Sequence, residues 1–167
     1  AKLEWFNQQY LRAKPDDILT GYLLESLKKE SVECSPSKAL KIVGVMKDRV
    51  TFPNDFWANG QFFFKAPSSY DEQVVAKRWN DEAVKVLGAF QAEISKIAVL
   101  TAELAKMTLE KVTGSLGVKT GQILAALRVS LTGGASGPDL MITMEILGSE
   151  EVAKRIGTAL EKLKVKV

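Results

Sequence analysis

The chain is cut into helix-length pieces by its own start and stop residues, and it has no convincing strand of more than a few residues. Pro15 precedes Asp16 and Asp17, which open an apolar pattern at Ile18, Leu19, Tyr22, Leu23 and Leu27 that closes on Lys28 and Lys29. Acids in a first turn and lysines in a last turn oppose the two ends of the helix dipole, so one helix is expected here. Ser35 followed by Pro36 reads as an N-cap with proline at the first helical position, continued by Leu40, Val43 and Val50 towards MKDRVTFP, where Pro53 stops it. Between Asn54 and Lys65, the residues Phe56, Trp57, Phe62, Phe63 and Phe64 flank Asn59 and Gly60, which suggests two short apolar pieces meeting at a turn.

Ser69 and Glu72 have capping-box spacing, and Val75, Trp79, Val86, Phe90, Ile94 and Ile97 fit one or two long helices after them. Thr101 is a candidate cap for a helix carrying Leu104, Met107, Leu109 and Val112 that should stop near Gly114 or Gly117. Ile123, Leu124, Leu127 and Leu131 mark another helix, ended by TGGASGP from Thr132 to Pro138. Two more helices follow, one from Asp139 to about Leu147 and one capped by Ser149 with Glu150 and Glu151 in its first turn. The sum is an all-α fold of seven to nine modest helices. The polar, proline-containing stretch Lys65 to Ser69 is the natural boundary, dividing the chain into two helical subdomains, 1–67 and 68–167.

Composition removes most catalytic readings. There is no histidine, which excludes the His-based triads and dyads and most zinc sites. Cys34 is the single cysteine, so no disulfide framework exists; with no base beside it, a spectator thiol is the simpler reading. The longest uncharged run, Val129 to Pro138, is far short of the roughly 20 apolar residues of a spanning helix, so no membrane role is expected, and the single cysteine makes a reduced cytoplasmic or organellar setting the simplest expectation. The chain opens AKLEWFNQQYLR, already amphipathic and aromatic, as a segment from inside a longer protein would. A formal charge of +3 leans towards an acidic partner without identifying one.

TGGASGP lacks the preceding strand and the Gly-Lys-Ser/Thr ending of a nucleotide loop. It offers instead a side-chain-poor surface, exposed amides and a rigid Pro138, which suit close approach by an unstacked base. Arg128, on the helix leading into that loop, can pack its stem and present its guanidinium near Pro138; pairing with a carboxylate and contact with RNA are both open to it. The aromatic run Phe62 to Phe64 reads most simply as core, with base stacking as the sharper alternative. The tail of Lys162, Lys164 and Lys166 alternating with Leu163, Val165 and Val167 reads as frayed and solvated.

Taken together, KTGQILAALRVSLTG (119–133), GPDLM (137–141) and ILGSEEVAKRIGTAL (146–160) resemble the C-terminal region of bacterial-type glutamyl-tRNA synthetases, class I glutamate–tRNA ligases. KLEWFNQQYLR resembles the segment after the catalytic core in that family, and VMKDRVTF its middle anticodon-domain segment, so the similarity runs through essentially the whole chain in order. The resemblance implies a two-subdomain helical anticodon-binding cage that acts on tRNA(Glu) as a monomer. It implies ATP and magnesium in the parent ligase but no cofactor here, because the family's HIGH and KMSKS signatures are absent.

By the same resemblance, Arg49 is expected to read the third anticodon base, where glutamate and glutamine tRNAs differ. Arg128 matches the arginine of the family's LR-x-x-LTG segment, Pro138 and Leu140 match residues lining the pocket for anticodon bases, and Lys119 matches a lysine near the RNA backbone. Trp5 and Arg12 match positions facing the inner side of the tRNA, although Trp5 as core and Arg12 paired with an acid remain open. Gly137 stands where some relatives have threonine. Glu110 stands where an RNA-contacting arginine can occur, with Lys111 as a neighbouring substitute. A helical protein-interaction module without an RNA role is the alternative from another class; it would need an exposed apolar groove rather than a basic face.

Overall fold

The computed structural model describes residues 1–165, and every regular element among them is helical. It divides into two compact units, one of Ala1–Lys65 and one beginning at Ala66.

In the first unit, α1 (Lys2–Ala13), α2 (Asp16–Lys29) and α3 (Pro36–Met46) are followed by a 3-10 turn at Lys47–Arg49, the short α4 (Asp55–Gly60) and a second 3-10 turn at Gln61–Phe63. Helices α2 and α3 pack face to face and α4 closes over both. Leu19, Leu23, Leu27, Ile42, Val43, Met46, Val50, Phe56 and Phe63 are buried together in this unit. Ser35 caps α3, its Oγ accepting the Lys38 amide at 3.2 Å. The expected continuation of α3 through Val50 breaks at Met46, where the backbone tightens into the 3-10 turn. The turn expected at Asn59 and Gly60 is absent, because α4 runs through both residues. Of the aromatic run, Phe63 is core, whereas Phe62 and Phe64 are half-buried.

The second unit contains α5 (Glu72–Arg78), α6 (Asp81–Ile94), α7 (Ala102–Ser115), a 3-10 turn at Thr120–Gln122, α8 (Leu124–Thr132), α9 (Leu140–Leu147) and α10 (Ser149–Lys162). Helix α6 packs on α7 and α10, α9 on α7, and α8 on α5 and α10. They enclose one core that includes Trp79, Val86, Leu87, Phe90, Ile94, Leu109, Ile123, Leu127, Met144, Val152 and Ile156. The two-helix option for residues 72–97 is the one adopted, because Asn80 caps α6 by accepting the Ala83 amide at 2.8 Å. The cap of α5 is Asp71 rather than Ser69, since its Oδ1 accepts the Val74 amide at 3.0 Å. Ser149 is not the cap of α10 either: it is the first helical residue, and Gly148 precedes it with a positive φ. Thr101 caps α7 as the sequence suggests, whereas Asp139, expected as the first residue of its helix, is instead the cap of α9.

Ten α-helices are present among the described residues, more than the seven to nine expected, because short pieces such as α4 and α5 stand as separate elements. The tail is not frayed where it is described. Trp79 donates its indole N–H to the Leu163 carbonyl at 3.2 Å, and Leu163 and Val165 pack on the core. Lys166 and Val167 lie outside the described residues. No helix is long and apolar enough to cross a membrane.

Candidate nucleic-acid interface

Two arginine-bearing features stand out, one in each unit. In the first, Arg49 ends the 3-10 turn Lys47–Arg49 and is exposed, while Met46 before the turn and Val50 after it are fully buried. The turn is tied down by polar contacts on both sides. Lys47 Nζ donates to Asp16 Oδ1 at 2.8 Å, and Arg12 Nη2 donates to the Asp48 carbonyl at 2.8 Å. Just beyond it, Asp55 Oδ2 accepts the amides of Thr51 and Phe52 at 3.0 and 2.9 Å. Arg49 itself forms no ion pair with the described carboxylates, so its five guanidinium donors face outward.

In the second unit, α8 ends on Gly133, which takes a left-handed φ of 78° and donates its amide to the Val129 carbonyl at 2.8 Å. The glycine is also required by proximity. A Cβ at this position would overlap the Ser69 carbonyl oxygen and lie 2.9 Å from Pro67 Cβ. The Asp71 amide donates to the Gly133 carbonyl at 2.8 Å, so the segment before α5 and the glycine loop are fastened together. Arg128 Nη1 donates to the Pro138 carbonyl at 2.9 Å, a charge-assisted bond across the base of the loop. A Cβ on Gly137 would come within 2.9 Å of that same Nη1. The glycine at 137 thus leaves the space in which the Arg128 guanidinium sits, where a threonine would push it aside.

The remaining sequence candidates fall in different settings. Lys119 is exposed just before the 3-10 turn Thr120–Gln122. Pro138 is buried, and Leu140, only 6 % exposed, belongs to the hydrophobic core, so neither offers more than a small part of its surface. Trp5 is 57 % exposed and meets Phe6 edge to face at 5.4 Å, so it is not core in this unit. Arg12 does pair with an acid: its Nε lies 3.3 Å from Asp48 Oδ1. Glu110 and Lys111 are both exposed on α7, with Lys106 Nζ 4.0 Å from Glu110. Burial pushes the Cys34 thiol up, and nearby Lys38 opposes this only in part.

Sequence reasoning passed over Arg155. Its side chain is 1 % exposed, Nε donates to Glu151 Oε1 at 2.9 Å and Nη1 donates to the Leu131 carbonyl at 2.8 Å. It therefore fastens α10 to the last turn of α8, immediately before the glycine loop. The available signal was the Glu151/Arg155 spacing of four residues on a helix, which by itself is indistinguishable from an ordinary surface pair.

The family model described as "Anticodon binding domain" matches residues 12–160. The glutamate–tRNA ligase of Cytophaga hutchinsonii is 42% identical over 99% of this chain, and that of Bacteroides thetaiotaomicron is 36% identical over 96%. In each case the match covers 32% of the relative, so the chain spans about a third of the length of these curated relatives. A crystal structure of a glutamate tRNA ligase from Elizabethkingia meningosepticum, in complex with its amino acid, superposes with a TM-score of 0.91 at 38% identity. It covers 96% of this chain and 32% of that one; the glutamate-tRNA synthetase of Elizabethkingia anophelis gives a TM-score of 0.86, again at 38% identity, over 95% and 31%. These relationships favour RNA recognition over a protein-interaction module. With sequence order and helical architecture in agreement, the chain belongs to the anticodon-binding domain family.

Proposed function

We propose that this chain is the anticodon-reading part of a glutamate–tRNA ligase and that its RNA partner is glutamate tRNA. The observation that carries the reading is Arg49: an exposed guanidinium without an acid partner, on a turn whose backbone is tied to α1 and α2 before any RNA arrives. A planar fork of donors on a fixed turn can donate to the acceptor atoms of a splayed cytosine edge, and the cost of ordering the turn is already met in the free protein. The glycine loop beside Arg128 offers a surface with few side chains against which a second unstacked base can lie, with buried Pro138 and Leu140 backing it from the core and Lys119 supplying a phosphate contact. Trp5 is placed to meet the RNA with its exposed ring.

No residue cluster of the chain is assigned a catalytic role. Glutamate activation, with the ATP and magnesium it uses, belongs in this reading to the other two thirds of a protein of the relatives' length, and a monomer in the cytoplasm is the simplest assembly. The test is a titration of the chain with the anticodon stem-loop hairpin of glutamate tRNA and with the same hairpin carrying guanosine for cytidine at the third anticodon letter. The cytidine hairpin should bind about tenfold or more tightly, the scale of one good bidentate base contact. Equal binding of the two hairpins overturns the base-reading assignment, and failure to bind either overturns the RNA reading.

A further inference from the structure

We infer that Arg12 is a positioning residue for Arg49, holding by its backbone the turn from which Arg49 projects. The inference rests on the reading of Arg49 given above.

Helix α1 is largely exposed: Leu11 is its one buried residue, and its main neighbour among the elements is the turn Lys47–Arg49. Arg12, next to Leu11, bridges the two. Its Nη2 reaches the Asp48 main-chain carbonyl at 2.8 Å, and Gln8 Nε2, one helical turn earlier, approaches the same oxygen at 3.4 Å. The contact with the Asp48 carboxylate is looser. Nε lies 3.3 Å from Oδ1 yet forms no hydrogen bond, and the Asp48 side chain is 78 % exposed. Such an ion pair contributes little in water, whereas a charged donor on a main-chain carbonyl fixes a peptide plane.

The peptide plane in question is the one joining Asp48 to Arg49. Its carbonyl belongs to Asp48 and its nitrogen to Arg49, so the clamp on the oxygen sets the direction in which the Arg49 Cα and side chain leave the turn. Lys47, held by Asp16 at 2.8 Å, fixes the preceding residue, and buried Val50 fixes the following one. With these three constraints the base of the Arg49 side chain is pre-positioned while its guanidinium stays exposed. A flexible turn would instead have to be ordered by each RNA, correct or incorrect, and the correct base would gain less from the arginine. Arg12 then contributes to specificity without touching the base.

The test compares the full chain with Arg12→Gln, Arg12→Lys, Asp48→Asn and Arg49→Gln, using the two hairpins and amide hydrogen exchange over Lys47–Val50 in the free protein. Arg12→Gln should speed exchange over the turn and lower the cytidine-over-guanosine preference about three- to tenfold, the range for coupled neighbours in one network, with exchange in the α2–α3 core unchanged. Arg12→Lys keeps the charge but not the fork and should fall between. Asp48→Asn should stay close to the parent in both readouts, because the carbonyl remains. If Arg12→Gln weakens both hairpins equally and leaves the preference intact, Arg12 is a plain RNA contact and the inference is overturned. Unchanged exchange over the turn overturns it as well. If Arg49→Gln keeps the full preference, it is the reading of Arg49 that fails, while the exchange data still decide whether Arg12 holds the turn.

Discussion

Arg49 and Arg128 are treated in opposite ways by their surroundings. Around Arg49 the turn is tied by Arg12 on the Asp48 carbonyl and by the Lys47 side chain on Asp16, and the arginine's own side chain is left exposed. Around Arg128 the guanidinium is itself a tie, bonded to the Pro138 carbonyl, and the backbone of the loop is held by glycine packing and by Arg155 behind it. The first arrangement gives up no donor of the reading side chain to the fold. The second spends at least one donor on shaping the loop. In the proposed reading, identical residue types would serve as a reader in one unit and as a strut in the other.

The largest blow to the second arrangement should come from Arg155→Ala. Removing it strands the Glu151 carboxylate and the Leu131 carbonyl and opens a void, and a loss of roughly 3–5 kcal/mol in urea unfolding is expected. Gly133→Ala follows, at about 2–4 kcal/mol, because it combines a left-handed backbone with overlap against Ser69 and Pro67. Either variant unfolding at the parent midpoint would show that the glycine loop is not built into the core. Arg49→Gln should leave the unfolding midpoint in place yet cost about 1–3 kcal/mol of preference between the two hairpins. Arg128→Gln should do the reverse in kind, costing about 0.5–1.5 kcal/mol of stability through the lost Pro138 bond and weakening both hairpins together. Were the two arginines to behave alike, the division between reader and strut would collapse. The smallest change is Lys119→Ala, which should weaken both hairpins equally and flatten the salt dependence of binding by a slope of about 0.7–0.9, without touching preference.

Local rules made much of the fold legible. Ser35 and Thr101 cap their helices because a side-chain oxygen meets the amide three residues on, an event confined to one turn. The same rules misplaced the caps of α5 and α10, which are Asp71 rather than Ser69 and Gly148 rather than Ser149. The candidate site was legible mainly as residue identities carried by resemblance. That Trp5 lies exposed, that Leu140 is spent in the core, and that Arg12 turns onto Asp48 could not be read from spacing, because each depends on what packs against the residue.

The sequence by itself determined that this chain is helical, that His-based and disulfide chemistry are unavailable to it, and which family it resembles. All of these follow from composition, from short-range backbone preferences and from motif order. Only the tertiary structure decided which arginines are free and which are tied. A guanidinium reaches several ångströms from its backbone, and its partners Asp48, Pro138 and Leu131 stand 36, 10 and 24 residues away in the chain from Arg12, Arg128 and Arg155. Packing alone brings such pairs within bonding distance.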